Sequence, residues 1–253
     1  AQGLTLTPGG RQVFNAAKRI LNDAAALTDL TNEVSNQPRG PITVGALSTL
    51  APLMSATLRR SFEAAYPEAS VSVREGNQTD LLHMLGRAEI DVAITYDMEI
   101  PKDVSFEPLA QLPPIAMLPA GHRLAGADSL TLQDLENEPF ILLDLPISRD
   151  HFLSMFHLAG LKPNIAERTT QMTVAQSLVA NGFGFSLTNM RRSSDQAPDG
   201  EQLAYVPIRG EVKPVIHFGL ATKQVELRSR LISLFFDHVK DRVAAKSLPG
   251  MLD

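Results

Sequence analysis

Past the break at Gln37-Pro38-Arg39-Gly40-Pro41, strand-like and helix-like stretches alternate in a fixed order, and that order constrains the fold most. The apolar run ITVGAL (42–47) leads through Ser48-Thr49 into a helical pattern that continues to Tyr66 and stops at Pro67. ASVSVREG (69–76) follows, then a helix from Gln78 to about Arg87, then IDVAIT (90–95). Strand–helix–strand–helix–strand with strands apolar on both faces implies a parallel sheet with right-handed crossovers. The order then recurs: FILLDL (140–145), a helix from about Ser148 to Ala159, a strand around 164–167, a helix from about Thr173 to Ala180, and FGFSLT (183–188). The expected class is therefore α/β with two Rossmann-like lobes. The proline-punctuated stretch 106–122 and the stretch PVIHFGLATK (214–223) suit crossover strands between them. Two crossings make a hinge around a cleft. A last helix, Val225 to about Ala245, places Leu227, Leu231, Leu234, Phe235 and Val239 at helical spacing and is expected to cover the first lobe.

Ahead of the break, Thr7-Pro8 reads as an N-cap followed by proline in the first helical turn. Val13, Ala17, Ile20, Ala24, Leu27, Thr31 and Val34 then alternate spacings of four and three, a heptad seam between polar flanks. A helix of about 30 residues is long for a globular domain, and the Pro-Gly-Pro break isolates it. The expectation is a helix that pairs with a second copy, the small residues Ala17, Ala24 and Thr31 allowing close approach. The other reading is an amphipathic helix lying on its own domain.

Charge and composition remove several functions. The net charge is −5 and Lys and Arg form no run, so this stretch lacks the basic face that phosphate backbones require. With no cysteine, thiolate catalysis and Cys-ligated zinc are excluded, and a reduced cytoplasm fits, as would an exported protein whose signal had been removed. No stretch approaches the roughly 18 unbroken apolar residues of a membrane span. The six histidines show no metal spacing, and no cofactor is expected. Gly182-Phe183-Gly184 precedes a strand where a dinucleotide fingerprint must follow one, so it reads as a tight turn. Neither a phosphate loop nor a nucleophile elbow is present, and the chain is not expected to be an enzyme.

In a parallel sheet the carboxyl ends of the strands feed helix starts at one edge, where ligands bind. Those turns carry Ser48-Thr49, Gln78-Thr79, Ser148-Arg149, and Thr170 with Thr173. Each can be a plain N-cap. Together, unsatisfied N–H groups and partial positive charge suit a small anion, most simply a carboxylate. Arg149 offers a bidentate partner, and Asp97 and Asp144 lie near the same edges.

Several passages resemble LysR-type transcription regulators. LTLTPGGRQVFNAAKRIL (4–21) is similar to the end of that family's winged helix and the start of its linker helix. GPITVGALSTLAPLM, EGNQTDLLHMLGRAEIDVAIT, LPAGHRLAGADSLTLQDLENEPFILL and VAQSLVANGFGFSLTN are similar, in order, to stretches of its effector domain. The resemblance implies a type 2 periplasmic-binding-protein-like fold. Residues 1–37 are then the end of the winged helix and the dimerising linker, 41–118 plus 215–247 lobe I, and 119–214 lobe II. It further implies a homodimer or homotetramer binding promoter DNA through a winged helix-turn-helix head expected before Ala1, with a small effector in the inter-lobe cleft. Effector contacts carried over by position are Ser48, Thr49 and Gln78, Asp144 to Arg149, and Thr188 and Asn189; Thr79 adjoins them. Gln78 stands where the family often has Ser or Thr, and Asn189 where it commonly has Pro. A solute-binding protein shares this architecture but would lack the heptad helix. An enzyme of the dehydratase or deaminase kind would need an acid, base or cofactor attachment that the chain does not display.

Overall fold

The computed structural model describes residues 7–14, 16, 17, 20, 38–192, 194–210, 215–224 and 228–248. They divide into two compact units, 1–109 with 219–247 and 110–218 with 248–253. These are two Rossmann-like lobes, each an α/β body, joined by two crossover strands.

The first unit is built on a parallel core. β1 (Gly40–Leu47) is flanked by β2 (Ala69–Gly76) and β3 (Val92–Tyr96), with Ile42 opposite Val71 and Val44 opposite both Val73 and Val92. Ile42, Val44, Val71 and Val92 are buried and Val73 half-buried because helices cover the sheet, the reason central parallel strands read as continuous apolar runs. Between β1 and β2 runs α1 (Ala51–Ala65), with Pro52 in its first turn and Met54, Leu58 and Phe62 buried one helical turn apart. Between β2 and β3 runs α2 (Gln78–Gly86), burying Leu81, Leu82 and Leu85. The chain's last helix, α3 (Arg230–Ala244), returns to this unit. Its Phe235 ring meets Phe62 edge-on at 5.2 Å, and His238 Nε2 lies 2.7 Å from Ser61 Oγ.

β4 (Val104–Leu112) and β10 (Ile216–Lys223) complete a sheet of order β2-β1-β3-β10-β4. The chain leaves the first unit within β4 and re-enters it within β10. The expected crossover at 106–122 is thus two strands, the end of β4 and β5 (Ile115–Pro119), parted at Pro113-Pro114. Proline cannot donate to a ladder, so the pair breaks the strand.

In the second unit β6 (Pro139–Leu143) pairs in parallel with β7 (Asn164–Thr169). β8 (Ser186–Thr188) and β9 (Leu203–Pro207) flank β5, both antiparallel to it. A parallel bridge between Phe140 and Phe185, and the bond from Ser186 Oγ to the Ile141 carbonyl (2.7 Å), join the two sheets. Gly184 sits at φ +151°, and a Cβ there would run into the Pro139 carbonyl, so glycine allows this join. The Gly182–Gly184 stretch is a turn ahead of β8. Two helices complete the unit: α4 (Ser148–Leu158), burying Phe152, Met155 and Phe156, and α5 (Met172–Ala180), burying Ala175 and Val179. In chain order α3 therefore follows α5.

At the amino end, residues 8–14, 16, 17 and 20 are helical, and Thr7 Oγ1 accepts from Gly10 N at 3.0 Å as an N-cap should. Val13 and Ile20 of the heptad seam are 70% and 67% exposed within the single chain, and Ala17 is exposed too. Ala24, Leu27, Thr31 and Val34 lie outside the described residues. Among the described residues no helix is long and apolar enough to cross a membrane, and no cluster of His, Asp or Glu could hold a metal.

Candidate functional site

At the carboxyl edge of the first unit, the polar side chains fall into two groups. Ser48 is exposed and Thr49 half-buried in the turn after β1, where Ser48 N donates to the Gly76 carbonyl at 2.9 Å. This bond ties the β1 turn to the end of β2. Neither hydroxyl caps α1, whose N-cap is Leu50 with no side-chain bond. Thr79 is half-buried, one residue into α2. α2 needs neither Thr79 nor Gln78 as a cap, because Asn77 and Asp80 form a reciprocal capping box.

Gln78 is different. It is 2% exposed, donates both N–H groups to the Tyr96 and Met98 carbonyls (3.0 and 2.8 Å), and its Oε1 accepts from Thr95 Oγ1. This amide closes the open end of β3 from inside. Its bulk is explained locally, because a Ser or Thr hydroxyl could not reach two carbonyls at once. Tyr96, the last residue of β3, is buried beneath the Thr49 turn. Burial pushes its phenol well above the usual value, while the Thr49 side chain pulls it partly back. Asp97 follows, exposed.

The second unit's edge is charged. The Asp144 carboxylate, just past β6, accepts from Arg149 Nη1 at 3.3 Å and from Arg168 Nη1 at 3.1 Å. Arg149 also donates to Asp150 through Nε at 2.8 Å, which holds the Asp150 carboxyl below its ordinary range. All four groups are at least a quarter exposed. Ile147 adopts φ +69°, ψ −53°, with Ser148 N donating to the Pro146 carbonyl at 2.8 Å. This is a γ-turn of the rarer, strained hand, costing about 1–3 kcal/mol for a β-branched residue. It opens α4 with no side-chain cap, and Ser148 is half-buried in the first turn.

α5 likewise starts at Gln171 without a side-chain cap. Thr170 and Thr173 are exposed, and it is Thr169 Oγ1 that accepts from Gln171 N, at 3.1 Å. Thr188 and Asn189, at the end of β8, are 6% exposed and turned to backbone. Thr188 Oγ1 donates to the Met190 carbonyl at 2.9 Å, and Asn189 Nδ2 to the Leu112 carbonyl at 3.2 Å. Asn189 thereby fastens the chain after β8 to the end of β4.

The residues of the first unit are thus gathered at one edge, as are Asp144, Ser148 and Arg149 in the second. Gln78 in the first unit, and Thr188 and Asn189 in the second, have their polar atoms occupied by the fold. The sequence reading missed Thr95, Tyr96 and Arg168. Tyr96 and Arg168 lie at carboxyl ends of strands, and the rule that ligands bind there would have found them had it been applied to strand ends as well as helix starts.

Two α/β lobes in one chain, with hydroxyl-bearing turns and uncapped helix starts past the parallel strands, define a periplasmic-binding-protein-like ligand-binding module. Residues 35–244 match the model of the LysR substrate binding domain, and the chain belongs to the LysR family of transcriptional regulators. Among curated relatives, it is 26% identical to the regulator SsuR of Burkholderia cenocepacia over 72% of this chain and 60% of that protein. It is 25% identical to CysB of Haemophilus influenzae over 72% and 57%. The matches thus span about six-tenths of the length of these relatives. A solved LysR-family regulator from Pseudomonas aeruginosa superposes with a TM-score of 0.77 at 31% identity, covering 94% of this chain and 83% of the other. The effector binding domain of QuiR in complex with shikimate shares the fold (TM-score 0.71, 22% identity, 83% and 100% covered).

Proposed function

We propose that this chain is the sensing and oligomerising part of a cytoplasmic, DNA-binding transcription regulator, and that it binds a small carboxylate effector without turning it over. The supporting observation is that α1, α4 and α5, each following a parallel strand, begin without a side-chain cap while Ser48, Thr49 and Ser148 stand at two of those starts with hydroxyls not spent on capping. Helix starts with open N–H groups favour an anion. Ser48, Thr49 and Thr79 supply contacts from the first unit, and Ser148 and Arg149 from the second. Gln78, Thr188 and Asn189 hold the backbone that presents them, and Asp144 orients Arg149.

The seam of Val13, Ala17, Ile20, Ala24, Leu27, Thr31 and Val34 pairs subunits into a dimer or a dimer of dimers; promoter DNA is the whole protein's other partner. Effector binding changes affinity for DNA to the extent that it binds the two quaternary arrangements unequally.

Calorimetry with a panel of small carboxylates, shikimate among them, tests the reading. At least one binds, and Ser48→Ala with Thr49→Ala weakens it by tenfold or more, about 1.4 kcal/mol. Unchanged affinity in that variant, or no binding across the panel, overturns it. A monomer in sedimentation equilibrium overturns the pairing helix.

A further inference from the structure

The turn that ends α5 carries the dipeptide Asn181-Gly182, ahead of β8 and apart from the turns assigned to the effector. Asparagine followed by glycine is chemically labile. Glycine has no side chain to shield its backbone nitrogen, and that nitrogen can close on the preceding Cγ to form a five-membered imide. Both residues are exposed, as is Phe183 after them.

The fold restrains both partners of that reaction. α5 closes in a complete Schellman motif: Phe183 N donates to the Leu178 carbonyl (3.1 Å) and Gly182 N to the Val179 carbonyl (2.9 Å), with Gly182 at φ +83°. The attacking nitrogen is thus engaged as a donor. Asn181 sits at φ −86°, ψ 8°. At that ψ the following peptide nitrogen is turned away from Cβ, so the imide ring cannot close until the peptide swings round and the motif opens. The amide is held as well. Asn181 Nδ2 donates to the Ser177 carbonyl at 2.9 Å and to Asp199 Oδ2 at 2.8 Å, which uses both of its N–H groups. Donation to a carboxylate keeps electron density on the amide and makes Cγ a poorer electrophile. Asp199 is presented by the turn ahead of β9, which Gly200 N closes on the Ala197 carbonyl at 3.0 Å.

We infer that Asn181-Gly182 is a deamidation site that the α5 cap and Asp199 hold latent. Helix ends open locally far more often than the whole fold does. When this one opens, Gly182 N gives its proton to solvent and bonds to Asn181 Cγ; the Cγ–Nδ2 bond breaks and ammonia leaves. Water then opens either C–N bond of the imide, giving aspartate by one route and isoaspartate by the other. Both products set a carboxylate where the amide met Asp199, so attraction becomes like-charge repulsion. The isoaspartate route also inserts a methylene into the main chain at the cap. Leu178 and Phe183, the apolar contact of the motif, line a shallow groove with Val174 and Pro198, and conversion loosens this side of the second unit irreversibly.

The whole chain is incubated in mildly alkaline buffer and digested with trypsin, and the peptide from Thr169 to Arg191 is sequenced by mass spectrometry. Conversion is expected at Asn181, with isoaspartate among the products, at a rate about tenfold below that of the same peptide free in solution. Asp199→Ala should raise the rate in the chain about threefold, the worth of an exposed charge-assisted contact. Asn181→Ser should remove it. No conversion in either the chain or its Asp199→Ala variant overturns the site. Conversion in the chain as fast as in the free peptide overturns the protection, and an unchanged rate in Asp199→Ala overturns the part given to Asp199. Amide hydrogen exchange separates local release from general loss of stability: Asp199→Ala should leave Ala175 and Val179 exchanging as in wild type, and faster exchange there overturns the local clamp.

Discussion

The two units carry similar architecture to their sheet edges and finish them in opposite ways. The first ends in a neutral network: Thr95, Gln78 and the Tyr96 carbonyl bonded to one another out of water, with Thr49 set above the Tyr96 phenol. The second ends in half-exposed charges, Asp144 shared by Arg149 and Arg168, next to a strained turn at Ile147. A buried neutral network has essentially one bonding pattern and holds it, because any break strands a group in low dielectric. Half-exposed ion pairs lose little when they exchange partners, since water and salt compensate them. One edge is fixed and the other can exchange its ion-pair partners.

The largest test of that contrast is Gln78→Leu. It strands two carbonyls and the Thr95 hydroxyl, and denaturant titration should register a loss of about 3 kcal/mol; a loss within error would mean the network is not rigid. Tyr96→Phe removes only the phenol's oxygen and should cost about 1 kcal/mol by the same measurement. A smaller effect separates the first unit's edge from its helical cover. His238 is held below its ordinary pKa of 6.5 by burial and then by Arg242, so the fold favours its neutral form. The unfolded chain takes up that proton first, so the contribution is complete above pH 6.5 and is lost as pH falls from there through the folded value. His238→Asn should flatten the stability–pH curve in that window, with no change above it. Smallest of all, Asp144→Asn should shift the melting temperature less than Tyr96→Phe, and the shift should fade with added salt; a large, salt-insensitive loss would erase the distinction between the edges.

Much of this was legible beforehand. Continuous apolar runs in β1, β3 and β6 and the cap at Thr7 are local signals, and proline marked the breaks after α1 and before β1, whereas the cap of α2 is Asn77 and not Gln78 or Thr79. β9 escaped notice because LAYVP is short, and its burial depends on pairing with β5, 84 or more residues upstream in register (Pro119 opposite Leu203). Ile147 was invisible for a related reason: nothing local favours isoleucine at positive φ, and the α4 it opens is held by Phe152, Met155 and Phe156 on the second core. At the site, residue types at helix starts were readable, but which of them would turn inward was not. Gln78 and Thr49 are both polar residues in edge turns, and what separates them is whether a carbonyl lies within reach.

The crossings within β4 and β10 have a further consequence, for the time order in which the protein can assemble. On the ribosome, everything the second unit's sheets and helices need has emerged once residue 218 is out, whereas the first unit still lacks β10's return and α3. Ser61 must wait 177 residues for His238, and closing so long a loop slows folding. The nascent chain therefore carries an open first sheet, Phe62 uncovered, while its insert is already compact, and this interval is when chaperone capture or misassembly would act on it.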